Sequence, residues 1–161
     1  MRRKDKQIQD RQVLEELLSG APVCRIGLAP AAGSRAADPY AGYPFVVPVH
    51  FVHSDGRIFV HSARAGKKID MLRSNPRVCV EIDEYLGLKT AEKACNYGTR
   101  FRSLIAFGRA RIVQAVEEKR RALQLLMDKY AGRSFDFTAP EIEKVEIIEI
   151  RLEEITGKEA G

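Results

Sequence analysis

The 161-residue chain has no tryptophan and only three cysteines. Cys24, Cys79 and Cys95 are widely spaced and form no CxxC pair, so zinc-ribbon and thioredoxin-like sites have no support. An odd cysteine count points to a reducing, cytoplasmic compartment. The opening MRRKDKQIQD is charged and leads into no apolar stretch, so it does not read as a secretory signal. No apolar run approaches the ~20 residues that a membrane helix needs. P-loop and GxGxxG signatures are missing, which disfavours the common nucleotide folds. GxSxG and HExxH are missing too, which removes two large hydrolase classes.

What is present is an ordinary globular composition, 45% apolar and 30% charged, enough for one domain over residues 1–161 with a sizeable core. The net charge of +5 weakly favours anionic partners. Its basic residues are scattered among acidic ones, with no basic stripe interleaved with aromatics, so no nucleic-acid partner is expected. Cys24 and Cys79 lie in apolar runs and read as small buried hydrophobes.

The chain is organised around residues 45–76, FVVPVHFVHSDGRIFVHSARAGKKIDMLRSNP. Two β-type runs, 43–53 and 57–62, flank Asp55-Gly56, a dipeptide suited to a hairpin turn with positive φ at both positions. A small-residue loop, 63–66, then leads to Lys67-Lys68 and a helical pattern with Ile69, Met71 and Leu72 inward, stopped at Asn75-Pro76. A strand thus delivers hydroxyl, imidazole and ammonium groups to a helix N-terminus, where unpaired N–H groups favour anions. The lysine pair reads equally well as a phosphate seat or as a solvated face.

Around this centre, 7–19 reads as a helix within an N-terminal helical segment over 1–20, and 22–28 as a strand. Residues 29–43 read as a long loop whose Tyr40 and Tyr43 could cover a pocket. Further strands are expected at 77–83, 101–114 and 143–151, with a bulge or bend at Gly108. An irregular stretch is expected over 84–99, an amphipathic helix over 116–129, a connection over 134–140 and a flexible tail over 153–161. Six strands and three helices without a β–α–β repeat describe a mainly β fold: a closed or nearly closed antiparallel barrel with peripheral helices.

His50, His53 and His61 all lie on the one hairpin, and no acidic or thiolate group completes a metal set around them, so no metal is expected. A hydrogen-bonded structural role is the default for each. Pro48 cannot donate to a ladder and marks an edge, an end or a bulge, where free backbone groups can pair with a planar heterocycle. Arg102 and Ser103 offer a further phosphate or carbonyl contact, with a solvated arginine as the plain alternative.

The pieces VCRIGL, YPFVVPVHF, IFVHSARAGKKIDMLRSNPRVCVEID, YGTRFRSLIAFGRARIV and EEKRRALQLLMDKY, with the opening MRRKDKQI, cover nearly the whole chain in order. Together they resemble the flavin-binding split-barrel family of pyridoxamine 5′-phosphate oxidase, and within it the nitroimidazole-resistance branch. The resemblance implies a six-stranded split barrel that dimerises, with FMN in clefts at the subunit interface. It places Phe45, Val46, Val47, Pro48, Val49 and His50 along the flavin ring. Val60, His61 and Ser62 fall by the ribityl chain and phosphate, and Lys67 and Lys68 on the phosphate. Arg102 and Ser103 match a neighbouring strand where the oxidases carry a flavin-contacting glutamine, and serine departs from it. An oxidase arginine near Phe45 and the oxidase C-terminal substrate segment are missing, which argues against pyridoxamine phosphate as substrate. The implied activity is FMN-dependent reduction of small aromatic, nitro-type compounds, with His50 near the reacting edge. A non-catalytic flavin store or a haem binder is the alternative, and FAD or a deazaflavin could replace FMN.

Overall fold

The computed structural model describes residues 4–30 and 42–161, so the expectation for Tyr40 lies outside the described residues. After a short 3-10 turn at Lys4–Lys6 come α1 (Arg11–Gly20), β1 (Cys24–Leu28), β2 (Phe45–Val49), β3 (Val52–Ser54) and β4 (Arg57–Ser62). There follow α2 (Lys67–Ser74), β5 (Arg77–Lys89), β6 (Gly98–Ile112), α3 (Val116–Ala131), α4 (Ala139–Glu143) and β7 (Glu146–Ala160). A single antiparallel sheet runs β2-β1-β5-β6-β7-β4-β3. Its two end strands, β2 and β3, are successive in the chain, so the sheet curls until its ends meet at His50 and Phe51.

The expected count of six strands becomes seven because the run 43–53 is not one strand. Its first half pairs with β1, Phe45 opposite Leu28 and Val49 opposite Cys24. Its second half pairs with β4, Val52 opposite Phe59 and Ser54 opposite Arg57. The chain must leave one ladder to join the other, and it does so at His50–Phe51. Counted as one bent segment, β2 and β3 restore the six-stranded barrel. At the other end of β3, Asp55 (φ 52°) and Gly56 (φ 70°) make the two-residue turn that their sequence predicts.

Alternation explains the interior. β1, β4, β5 and β6 turn Ile26, Val60, Val80, Ile82, Leu104 and Ala106 inward, each at most 1% exposed. α1 covers one side with Leu17 and Leu18 and is capped by the Asp10 carboxylate, which accepts from the Gln12 N–H at 2.8 Å. α2 adds Ile69, Met71 and Leu72, the three residues its spacing marks as inward. Cys24 is fully buried, and burial pushes its thiol up to about 12, as suits a small hydrophobe. Cys79 is only half-buried, on the outer face of β5.

Three other expectations change. Among the described residues the three helices become four, because α4 forms across the end of the expected connection and the start of the expected strand, and β7 begins only at Glu146. Residues 84–99 are not irregular throughout: β5 continues to Lys89 and β6 begins at Gly98, so the two strands extend as a ribbon with a register shift at Tyr85/Gly87. The tail does not fray. Residues 153–160 continue β7, with Arg102 opposite Glu159 and Phe101 opposite Ala160. Gly157 makes this possible, since Leu14 and Ile8 of the N-terminal segment occupy the space where its side chain would be. The bulge at Gly108 is present as a register shift between Phe107 and Gly108, and the extra residue, Glu153, lies on β7.

Candidate functional site

The pairing scheme opens a slot in the barrel. The β3–β4 ladder ends at Val52 opposite Phe59, so among the described residues Val60, His61 and Ser62 of β4 have a strand partner only in β7. Among the described residues β2 likewise has a partner only in β1. Two strand edges with unpaired backbone groups therefore diverge from the vertex at His50–Phe51. Continued past its end, the β3–β4 register would set His50 opposite His61.

Along β2 the side chains alternate. Val46, Pro48 and His50 point outward and are exposed, while Phe45, Val47 and Val49 pack on the core. Pro48 sits, as expected, in an end strand, opposite Arg25. Among the residues expected to touch a ligand, Val60 is the correction. Its side chain is 0% exposed, so only its backbone can take part. Ser62 is buried too, whereas His61 reaches solvent.

The far side of the slot is the start of α2. Gly66 precedes it with φ 121° and ψ 167°, a backbone conformation open in practice to glycine alone. No side chain caps this N-terminus, which leaves first-turn N–H groups available to an anion. Lys67 crosses the mouth of the slot, its Nζ 5.4 Å from the centre of the Phe45 ring. Lys68 is half-buried, and loss of water holds its ammonium below the ordinary lysine value. Among the described residues no carboxylate pairs with it. His61 is held below the usual imidazole range by desolvation first, then by the neighbouring His50 and Lys68. The slot thus gathers positive or proton-accepting groups and bare N–H donors around one position, which suits a phosphorylated planar heterocycle.

His53 lies away from this cluster. Burial lowers its pKa more than Glu15 (3.5 Å from Nδ1) and Asp55 raise it. A base whose folded pKa lies below its unfolded value gives full stability above the unfolded value and loses it as protons are forced on. Thermal midpoints are therefore expected to fall as pH drops through about 6.5. In His53→Gln that fall should be shallower; an unchanged slope between pH 7.5 and 5 would remove His53 from the account.

Arg102 and Ser103 do not join the slot of their own chain. Arg102 is opposite Glu159 on β7, whereas Ser62 is opposite Glu146, about 40 Å of extended strand away. Arg102 lies 3.8 Å from both Glu16 and Glu159 and lines a cleft of about 640 Å³ with Lys6, Lys89 and Phe101.

A residue that the sequence did not single out completes the vertex. The Tyr130 ring, in the last turn of α3, lies 4.8 Å from the His50 imidazole, and its hydroxyl reaches the backbone of Phe51. No local pattern marks this tyrosine; only the fold brings it to the strand break.

Comparison with known proteins agrees with this architecture. The family model described as pyridoxamine 5′-phosphate oxidase matches residues 10–159. A candidate 5-nitroimidazole antibiotic resistance protein of Bacteroides thetaiotaomicron is 30% identical, with a TM-score of 0.78 over 94% of this chain and 85% of its own. A flavocytochrome of Azotobacter vinelandii (23% identity, TM-score 0.83, 100% of this chain and 72% of that one) shares the fold. So does an FAD and haem binding protein of Mycobacterium smegmatis (20%, 0.81, 96% and 73%). An uncharacterised protein of Rhizobium meliloti is 43% identical over 42 residues, a stretch that is 26% of this chain and 27% of that relative. With the match running from the capping Asp10 to Glu159 in β7, the chain belongs to the pyridoxamine 5′-phosphate oxidase family.

Proposed function

We propose that the slot holds FMN and that the protein is a flavin-dependent oxidoreductase acting on small aromatic, nitro-type compounds. One observation carries the reading: two strand edges, unpaired among the described residues, open from a vertex toward an uncapped helix N-terminus that also presents Lys67 and Lys68. The α2 N–H groups and the lysines suit the phosphate, the backbone edge of β2 suits a ring with alternating donors and acceptors, and His50 stands at the vertex as the group nearest the reacting edge. When bound, the flavin supplies the electron chemistry, while the protein binds, orients and tunes it. The related proteins, a candidate nitroimidazole resistance protein and two flavin or haem carriers, support this class of ligand.

The same reading makes the active form a homodimer. On the outer face of the barrel, Val46, Gly27, Cys79 and Phe107 lie in one row across β2, β1, β5 and β6, and Ile105 lies in the next. Val46 is 60% and Phe107 52% exposed, an apolar face beside the slot that a second copy would cover. Arg102 and Ser103, remote from their own slot, can contribute only to the slot of that second copy. A monomeric mass in solution with flavin still bound would sink the interface-cleft arrangement.

The test is an absorption spectrum of purified protein before and after denaturation, followed by FMN titration. A released flavin, and its reduction by a nicotinamide donor, is the expected result. A Soret-type band would turn the reading to haem, with His50 or His61 as ligand, and a colourless protein that takes up no FMN would end it. Lys68→Ala is expected to weaken FMN by about 1–3 kcal/mol, roughly five- to 150-fold in Kd, as the loss of a charge-assisted phosphate contact would. An unchanged Kd would remove Lys68 from the phosphate seat.

A further inference from the structure

The break between β2 and β3 poses a problem of unpaired groups. Phe51 is fully buried, yet at this point the chain belongs to neither ladder, so its N–H and C=O would be left without partners. Tyr130 resolves it. Its hydroxyl accepts from the Phe51 N–H at 2.9 Å. It also lies 2.9 Å from the Phe51 carbonyl oxygen and 2.7 Å from that of Pro22, to one of which it donates its single proton. Lys129, the preceding residue, takes hold of the same place: its Nζ lies 3.9 Å from the centre of the Phe51 ring and donates to the Ala21 carbonyl at 2.8 Å. The last turn of α3 thus fixes the strand break to the linker between α1 and β1. In doing so it lays the Tyr130 ring against the imidazole of His50, at 4.8 Å and an interplanar angle of 32°. His50 points outward from the end of a strand with a single partner, so little else on its own element orients it.

We infer that Tyr130 is the positioning residue of the slot: by holding the backbone of Phe51 and packing on His50, it sets where the His50 imidazole stands relative to the ligand. This rests on the proposed flavin site, with Tyr130 acting through His50 and not touching the ligand. The phenol keeps its proton for the task, because burial first of all raises its pKa above the ordinary value.

The experiment is a double-mutant cycle of Tyr130→Phe and His50→Gln, read by FMN titration and by the absorption maximum of the bound flavin. Phenylalanine keeps the ring and removes only the hydroxyl, so the variant is expected to fold, with a lower thermal midpoint. Tyr130→Phe should raise the FMN Kd about fivefold to tenfold, near the worth of one hydrogen bond, and should shift the flavin band. In the His50→Gln background the same change should cost less than about twofold, because the group it positions is gone. An equal cost in both backgrounds, or no cost in either, would overturn the inference and leave Tyr130 a clamp of the fold alone. A failure of the flavin reading itself is separable. Should wild-type protein take up no FMN, the ring-proton NMR signals of the three histidines still report on His50, assigned by their loss in His50→Gln. Movement of the His50 signals in Tyr130→Phe, with those of His53 in place, supports positioning; fixed His50 signals overturn it.

Discussion

Gly108→Ala is expected to destabilise the protein by about 3 kcal/mol, with a clear drop in the urea midpoint. Gly108 lies in the middle of β6, opposite Val78 of β5 on one side and Leu152 of β7 on the other. The bulged β7 backbone bends toward it there. A Cβ at this position would lie 2.3 Å from the Arg151 carbonyl oxygen and 3.1 Å from its carbon. Those are main-chain atoms of a strand paired on both sides, so neither can swing away as a flexible side chain would. Relief requires parting the β6–β7 ladder at the bulge. Gly27 is the control: the same methyl group there would meet Cys79 at 3.5 and 3.6 Å, ordinary van der Waals contact. Equal shifts in the urea midpoint for Gly108→Ala and Gly27→Ala would show that loss of glycine, and not the close approach of β7, is being measured.

The second large effect is electrostatic. Lys119 of α3 and Glu146 of β7 meet at 2.8 Å, each side chain about 12% exposed, and the ammonium also donates to the Val145 carbonyl at 3.2 Å. Among the described residues Lys119→Met would leave a buried carboxylate with only the exposed Arg64, 3.9 Å away, and an exposed partner contributes little. A loss of about 3 kcal/mol is expected, most of it the cost of an unpaired buried charge. Adding Glu146→Leu to Lys119→Met should recover about 2 kcal/mol, since a well-packed apolar pair can replace a buried ion pair. If the double variant were no more stable than Lys119→Met, the loss would come from packing of the lysine stem and not from charge.

Which features could be read in the chain beforehand follows from how local their causes are. The Asp55-Gly56 turn, the stop at Asn75-Pro76 and the inward face of α2 depend on neighbours a few residues away, and they stand where the sequence puts them. The bulge at Gly108 is legible because a glycine within a strand is itself the trace of a close approach. What escapes is set by distant segments. Residues 153–160 read as a polar tail because of Glu153, Glu154, Lys158 and Glu159, yet the space beside Gly157 is filled by Leu14 and Ile8 from the other end of the chain. The run 43–53 reads as one strand because nothing in its own residues says that β1 takes its first half and β4 its second. Tyr130 falls just past the helix read over 116–129 and carries no signal of its own until Phe51, seventy-nine positions away, supplies its partner. Within the site, the lysine pair and the edge proline carry their own signal. The burial of Val60 and the distance of Arg102 from the slot follow from register, which no short motif specifies.

The place of β7 in the sheet also bears on how the chain reaches its fold. β7 is the last strand in sequence, yet it lies between β6 and β4 and bridges the two halves of the barrel. During synthesis from the N-terminus, everything through α4 can emerge while β4 and β6 still display unsatisfied edges over Arg57–Ser62 and Gly98–Ile112. The pairing that hides them joins residues far apart in sequence, His61 with Ile147 for example, and such non-local closure is slow. A nascent chain of this protein therefore carries two sticky ladders until its final strand arrives, and that interval is when it most depends on chaperones and most risks pairing with its neighbours.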